Sequence, residues 1–265
     1  MRARSEIGRA EVTEALVKGL AALPCVHAVW EGGAASHGTL DEWSDIDLNV
    51  DAEDGSADRV FAVVERALRS LSGIEQKFGI PWPAAHDYAQ AFYRVRGASP
   101  FLLVDLAVFK HSAPDKYLEP AIHGEPVFLF VRGKPPRAPR WDRRAFAKRL
   151  RSRAERLEAR YAVFGCFIDK ELERGNTVEA LYNYQRLLLD PLLEFLRMRY
   201  APRHFDFGVR YVHRELPARV VRRFETLAFV RDERDLRSKV RLAERWLRET
   251  TRAVRRSDVR SRLGT

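Results

Sequence analysis

Two aspartates and three glycines stand close together in one stretch of this chain, in an order that could do chemistry. Val29 to Val50 reads VWEGGAASHGTLDEWSDIDLNV. Its last seven residues alternate like a half-buried strand, so Ile46, Leu48 and Val50 point one way while Asp45, Asp47 and Asn49 point the other. Carboxylates side by side repel unless a cation sits between them, and an oxygen-only donor set favours Mg²⁺ or Mn²⁺. The turn upstream, with Gly32, Gly33 and Gly38, offers backbone N–H groups suited to a polyphosphate.

A third carboxylate comes from a later strand, Phe101–Phe109. Alternation there sets Leu102, Val104, Leu106 and Val108 on one face and Leu103, Asp105, Ala107 and Phe109 on the other. Asp105 is the only charge in that run. A buried, unpaired carboxylate costs several kcal/mol, roughly, so Asp105 needs a metal, hydrogen-bond donors or a salt bridge to Arg94 or Arg96.

The joint pattern Gly32-Gly33, Gly38 and Ser44-Asp45-Ile46-Asp47 resembles the signature of the DNA polymerase β-like nucleotidyltransferase superfamily. Its tone is most similar to the small-molecule branch, the aminoglycoside- and lincosamide-type antibiotic nucleotidyltransferases. The resemblance implies an α+β fold: a catalytic domain with a mixed sheet and flanking helices, followed by an all-α bundle that holds the acceptor. It implies that Asp45, Asp47 and Asp105 bind Mg²⁺ or Mn²⁺ and carry catalysis, and that Gly32, Gly33, Ser36, Gly38 and Ser44 bind a nucleoside triphosphate, ATP in the first instance. Ala34 stands where the family has its phosphate-binding serine, which leaves Ser36 to substitute. Some relatives take a general base from a helical-domain glutamate, and Glu171 and Glu179 are the residues here at a suitable helix–helix turn.

The implied activity is transfer of a nucleoside monophosphate to a hydroxyl of a small acceptor. Alternatives are a nucleotidyltransferase acting on RNA or protein, as in toxin–antitoxin pairs, or a catalytically degenerate nucleotide-binding module. Charge bears on the acceptor. Residues 1–140 hold 16 Lys+Arg and 19 Asp+Glu, whereas residues 141–265 hold 31 and 18, so the second half is +13. That balance argues against a polycationic acceptor and for a neutral or anionic one. Nucleic acid fits the charge, but no zinc pattern, recognition helix or aromatic RNA-binding motif supports it. His123 is read as a loop residue, whereas His37 lies inside the glycine stretch, placed to touch phosphate or solvent.

The charge shift and the Pro-rich stretch Gly133–Arg140 divide the chain into a catalytic domain (1–132), a linker (133–140) and a helical domain (141–265). No apolar run is long enough for a membrane span, and no signal core is evident, so a cytoplasmic monomer or homodimer is expected. Cys25 and Cys166 both lie in apolar segments and read as reduced core residues.

The elements expected to position the site follow from periodicity. Arg9–Leu23 is a helix and Val26–Trp30 a strand entering the glycine turn. Ala34–His37 starts a short helix, and Asp58–Leu71 is a longer one capped by Ser56. Tyr88–Val95, Phe101–Phe109 and Pro126–Val131 are strands. In the second half, Arg143–Arg174 reads as one long helix. A second runs from Asn176 or Thr177 to Tyr200 with a disturbance at Asp190-Pro191, a third from Pro217 to Val230, and a last from Glu233 to Val254.

Overall fold

The computed structural model describes residues 7–80, 87–114, 116, 119–256 and 263. Part of the amino-terminal reading concerns residues 1–6, which lie outside the described residues. The chain is mixed α+β and falls into two compact units, Met1–Trp141 and Asp142–Thr265.

In the first unit, α1 (Arg9–Ala21) leads to β1 (Val26–Glu31), the four-residue α2 (Gly33–Ser36) and β2 (Ile46–Ala52). Then come α3 (Ala57–Leu71), β3 (Ile74–Gly79), β4 (Tyr88–Val95), β5 (Leu103–Lys110), α4 (Pro120–His123) and β6 (Val127–Val131). The strands form one six-stranded sheet, ordered β3-β4-β5-β2-β1-β6. Only the β2–β5 pair is parallel; the others are antiparallel. A parallel pair needs a long crossover, and here the chain between β2 and β5 supplies α3, β3 and β4.

The apolar residues choose the face. Val12, Leu16 and Leu20 of α1 and Val60, Val64 and Leu68 of α3 recur at helical spacing. They share one buried cluster with Ile46, Leu48 and Val50 of β2 and Val104, Leu106 and Val108 of β5. Alternation then turns Asp47, Asn49, Asp105 and Ala107 to the opposite face.

The second unit contains α5 (Arg143–Phe164), α6 (Cys166–Glu173), α7 (Thr177–Asn183), a π-helical segment (Tyr184–Leu189) and α8 (Asp190–Tyr200). A 3₁₀ turn, α9 (Val212–Glu215), α10 (Ala218–Ala228) and α11 (Glu233–Arg256) complete it. No helix among the described residues is long and apolar enough to cross a membrane.

Several sequence expectations need correction. The helix expected over Arg143–Arg174 divides at Gly165, where an added Cβ would sit 2.7 Å from the Tyr161 carbonyl oxygen. Cys166 follows this break and is exposed, whereas Cys25 is buried; both thiols are free. The disturbance at Pro191 takes the form of a π segment just before it. Proline has no N–H to close the α-helical ladder, and a wider turn accommodates that without breaking the helix. Ser56 does not cap α3 with its side chain; its hydroxyl donates to the Glu53 carbonyl at 2.5 Å. His123 ends the short α4 and is no loop residue. Strand β3 was not expected, because its Glu75, Gln76 and Lys77 give no apolar alternation; it is an exposed edge strand.

Candidate active site

The site begins where β1 ends. Gly32 N–H donates to the Asp47 carbonyl at 2.9 Å, which locks the turn onto β2. Gly33 follows with φ +53°, in the left-handed region that favours glycine. A Cβ built on Gly33 would lie 1.7 Å from Asp47 Oδ2, so the backbone approaches the carboxylate as closely as only glycine permits. Gly38, also left-handed at φ +63°, lets the chain reverse; its N–H donates to the Ala35 carbonyl at 3.0 Å.

The two serines serve the loop itself. Ser36 Oγ donates to the Glu31 carbonyl at 3.3 Å. Ser44 Oγ donates to Asp41 Oδ1 at 2.7 Å and accepts from Asp41 N–H at 2.9 Å, closing a tight turn directly ahead of Asp45.

Strand register brings the carboxylates together. Asp47 of β2 is directly opposite Asp105 of the parallel neighbour β5. Asp105 Oδ1 accepts a 2.7 Å hydrogen bond from Gln90 Nε2, on β4. The arginine partners considered above do not reach it: Arg94 lies 3.8 Å from Glu75, and no salt bridge to Asp105 occurs among the described residues.

Electrostatics records the crowding. Burial, reinforced by the Asp105 and Asp45 charges, pushes the Asp47 carboxyl up to about 6. Burial also raises Asp105, opposed by the Gln90 hydrogen bond and reinforced by Asp45. Asp45 is raised by burial as well, although a backbone hydrogen bond from Leu103 works against this.

These donors suit a hard divalent cation in one particular way. Among the described residues no three His, Cys, Asp or Glu side chains form a ready-made cage. Mg²⁺ does not require one, because it is commonly held by one or two carboxylates completed by substrate phosphates and water. A facing pair of oxygen donors with raised carboxyl pKa values, neither in a salt bridge among the described residues, meets that requirement.

Sequence reasoning missed three features. Arg9 Nη2 of α1 donates to the buried Glu31 Oε1 at 3.0 Å and lies 3.4 Å from the Asp45 carbonyl oxygen. Its positive charge lowers the Asp47 carboxyl, against the larger raising effects. A glutamate ending the mostly apolar VHAVWE run was the available signal. Trp43 and Phe101 form an exposed edge-to-face pair with ring centroids 4.8 Å apart, two residues ahead of Asp45 and Leu103. Asp51, on the same face of β2 as Asp47, is bound by His111 and Lys116. Continuing the alternation past Val50 would have placed it there.

Glu171 accepts hydrogen bonds from Arg174 and Asn176 at the end of α6, and Glu179 is exposed in the first turn of α7.

Comparison with known proteins adds little to this geometry. No protein-family model matches the chain, and no curated protein matches it. Among solved structures it is similar to an aminoglycoside 6-adenyltransferase from Bacillus subtilis, with 12% identity and a TM-score of 0.38, over 95% of this chain and 90% of that one. It is also similar to JHP933 from Helicobacter pylori, with 13% identity and a TM-score of 0.31, over 96% of this chain and 97% of that one. At these TM-scores the likenesses assign nothing to this chain.

Proposed function

We propose that the amino-terminal unit catalyses metal-dependent nucleotidyl transfer, moving a nucleoside monophosphate, AMP from ATP in the first instance, to a hydroxyl of a small-molecule acceptor. One observation carries the reading: Asp47 and Asp105 oppose each other on adjacent parallel strands, with no salt bridge to either among the described residues, and the Gly33 backbone presses against Asp47.

Asp45, Asp47 and Asp105 are the residues that would hold Mg²⁺ or Mn²⁺. The bound ion would neutralise triphosphate charge and stabilise the entering and leaving oxygens. The chain's own groups do the rest. The missing side chains at Gly32, Gly33 and Gly38 let a triphosphate approach the turn, where the Gly32 and Gly38 N–H groups are already donated to the Asp47 and Ala35 carbonyls. Gln90 fixes Asp105 through Oδ1 and leaves Oδ2 free to accept the acceptor's proton, a role that a raised carboxyl pKa favours. The acceptor oxygen then bonds to the α-phosphorus as the bond to the pyrophosphate leaving group breaks. An excess of cations in the second half favours a neutral or anionic acceptor over a polycationic one.

A second reading, nucleotide binding without transfer, is favoured by Ala34 and by the Ser36 hydroxyl being engaged with Glu31. Thermal melting tests the common premise. At about 100 times its Kd a bound nucleotide adds roughly 2.7 kcal/mol to folded-state stability. The expected result is a Mg²⁺-dependent shift with at least one nucleoside triphosphate that disappears in Asp47→Asn. No shift with any nucleotide in the wild type would count against both readings, and release of pyrophosphate separates them.

A further inference from the structure

The charge excess of the second half is ordered on helix α11. Its inward residues Leu236, Val240, Ala243, Leu247 and Val254 are buried, which fixes the rotation of the helix. On its outward side Arg234, Arg241, Arg245, Arg248, Arg252 and Arg256 are all exposed and recur, with Ser238, at steps of three or four. Such steps place them on one ridge, with successive members about 5.5 Å apart and the whole about 33 Å long.

No acid interrupts the ridge. The four acidic residues of α11 have partners of their own: Glu233 pairs with Arg237, Asp235 with Lys239 at 2.7 Å, Glu244 accepts from Tyr161 at 2.6 Å, and Glu249 lies 3.9 Å from Arg223. Of the ridge arginines only Arg248 has an ion-pair partner among the described residues, Glu244 at 3.9 Å. An ordinary solvated helix mixes both signs to limit like-charge repulsion. Five uncompensated guanidinium groups in line are a cost to the folded protein that a regularly spaced polyanion would remove.

We propose that the α11 ridge is a docking surface for double-helical RNA, bound through its phosphates. Arginine presents a planar fork matched to phosphate oxygens, and a straight row of them matches a repeating anion better than scattered acidic side chains of a protein. The ridge carries no Asn or Gln to read adenine edges and no exposed aromatic to stack on a single strand, and the deep, narrow major groove of an RNA duplex withholds guanine edges from its arginines, which leaves backbone recognition. Phosphates along an A-form strand stand closer together than along B-form DNA, nearer to the arginine spacing, and duplex RNA is recognised mainly by shape and backbone. An anionic membrane fits less well, because the apolar face that would insert is already buried within the unit.

The test needs no nucleotide, so it is independent of the proposed transfer reaction. Fluorescence anisotropy would follow a labelled RNA duplex, the same duplex as DNA, and phosphatidylserine vesicles across a salt series. The proteins are wild type, Arg245→Gln/Arg252→Gln, and Arg144→Gln/Arg151→Gln, an equal charge change on α5. Six phosphate contacts to a duplex predict a log–log salt slope of about −5, and losing two reduces its magnitude by about 2. The ridge variant should bind at least about tenfold more weakly while melting like wild type, with the α5 variant near wild type. Equal loss in both variants, equal affinity for the DNA duplex, binding to vesicles alone, or no RNA binding at low salt would each overturn the proposal.

Discussion

Asp47 and Asp51 lie four residues apart on one face of one strand, yet the fold treats them in opposite ways. Asp51, with its side chain 4% exposed, is held by Lys116 Nζ at 3.1 Å and His111 Nδ1 at 3.0 Å. Lys116 is nearly as buried, at 9%, and the His27 ring stacks on His111 with centroids 3.8 Å apart. Asp47 instead faces Asp105 across the strand pair and has glycine backbone on its other side. A carboxylate kept for structure acquires cations from the chain. One left against a second carboxylate destabilises the fold, a cost that the proposed function explains by a metal ion taking up its oxygens.

Exchanging the charges one at a time sharpens this contrast. The largest effect is expected from Asp47→Asn: a fall in nucleotidyl transfer on the order of 10³-fold, the scale of losing a group aimed at developing charge, with unchanged far-UV circular dichroism. Asp51→Asn should do the reverse. Leaving Lys116 without its carboxylate costs about 3 kcal/mol of unfolding free energy by denaturant titration, while turnover below the melting range stays within about twofold of wild type. If both variants lost activity alike and neither lost stability, the contrast would fail.

Gly33→Ala comes next. The left-handed backbone costs an L-residue about 1–2 kcal/mol, and the new methyl must displace the Asp47 carboxylate. A shift of an ångström in a reacting group typically costs about 10²-fold, so steady-state turnover should fall by roughly that factor. The smallest effect is on pH. The Asp47 carboxyl, pushed up from 3.8 to about 6, carries a disfavoured charge in the folded protein above that pH, while the unfolded chain ionises near its ordinary value. Stability of the metal-free protein therefore falls as pH rises from about 4 through about 6. Differential scanning fluorimetry should give a higher melting temperature at pH 5 than at pH 7.5, with a smaller difference in Asp47→Asn.

Much of this site was legible because strand alternation is local. Period two alone sorts Asp45, Asp47 and Asp105 from the apolar residues beside them, and the register between β2 and β5 then sets two of them opposite each other. Glycine spacing announced the turn, although only coordinates show that Gly33 must be glycine because Asp47 occupies the space of its side chain. What escaped depends on distant pairing. Arg9 and Glu31 meet because α1 packs near the end of β1, and Lys116 reaches Asp51 across 65 residues of sequence. Edge strand β3 was invisible for a different reason: with both faces largely exposed, it needs no apolar alternation.

The most direct measurement of the central claim is a Mn²⁺ titration followed by electron paramagnetic resonance, in the presence of a non-hydrolysable ATP analogue. Wild type, Asp47→Asn, Asp105→Asn and Asp51→Asn would be compared. Wild type and Asp51→Asn should bind the ion with similar affinity, and each of the other two should weaken it by at least about tenfold. Equal binding by all four proteins, or none by wild type, would contradict the assignment of Asp47 and Asp105 to a metal.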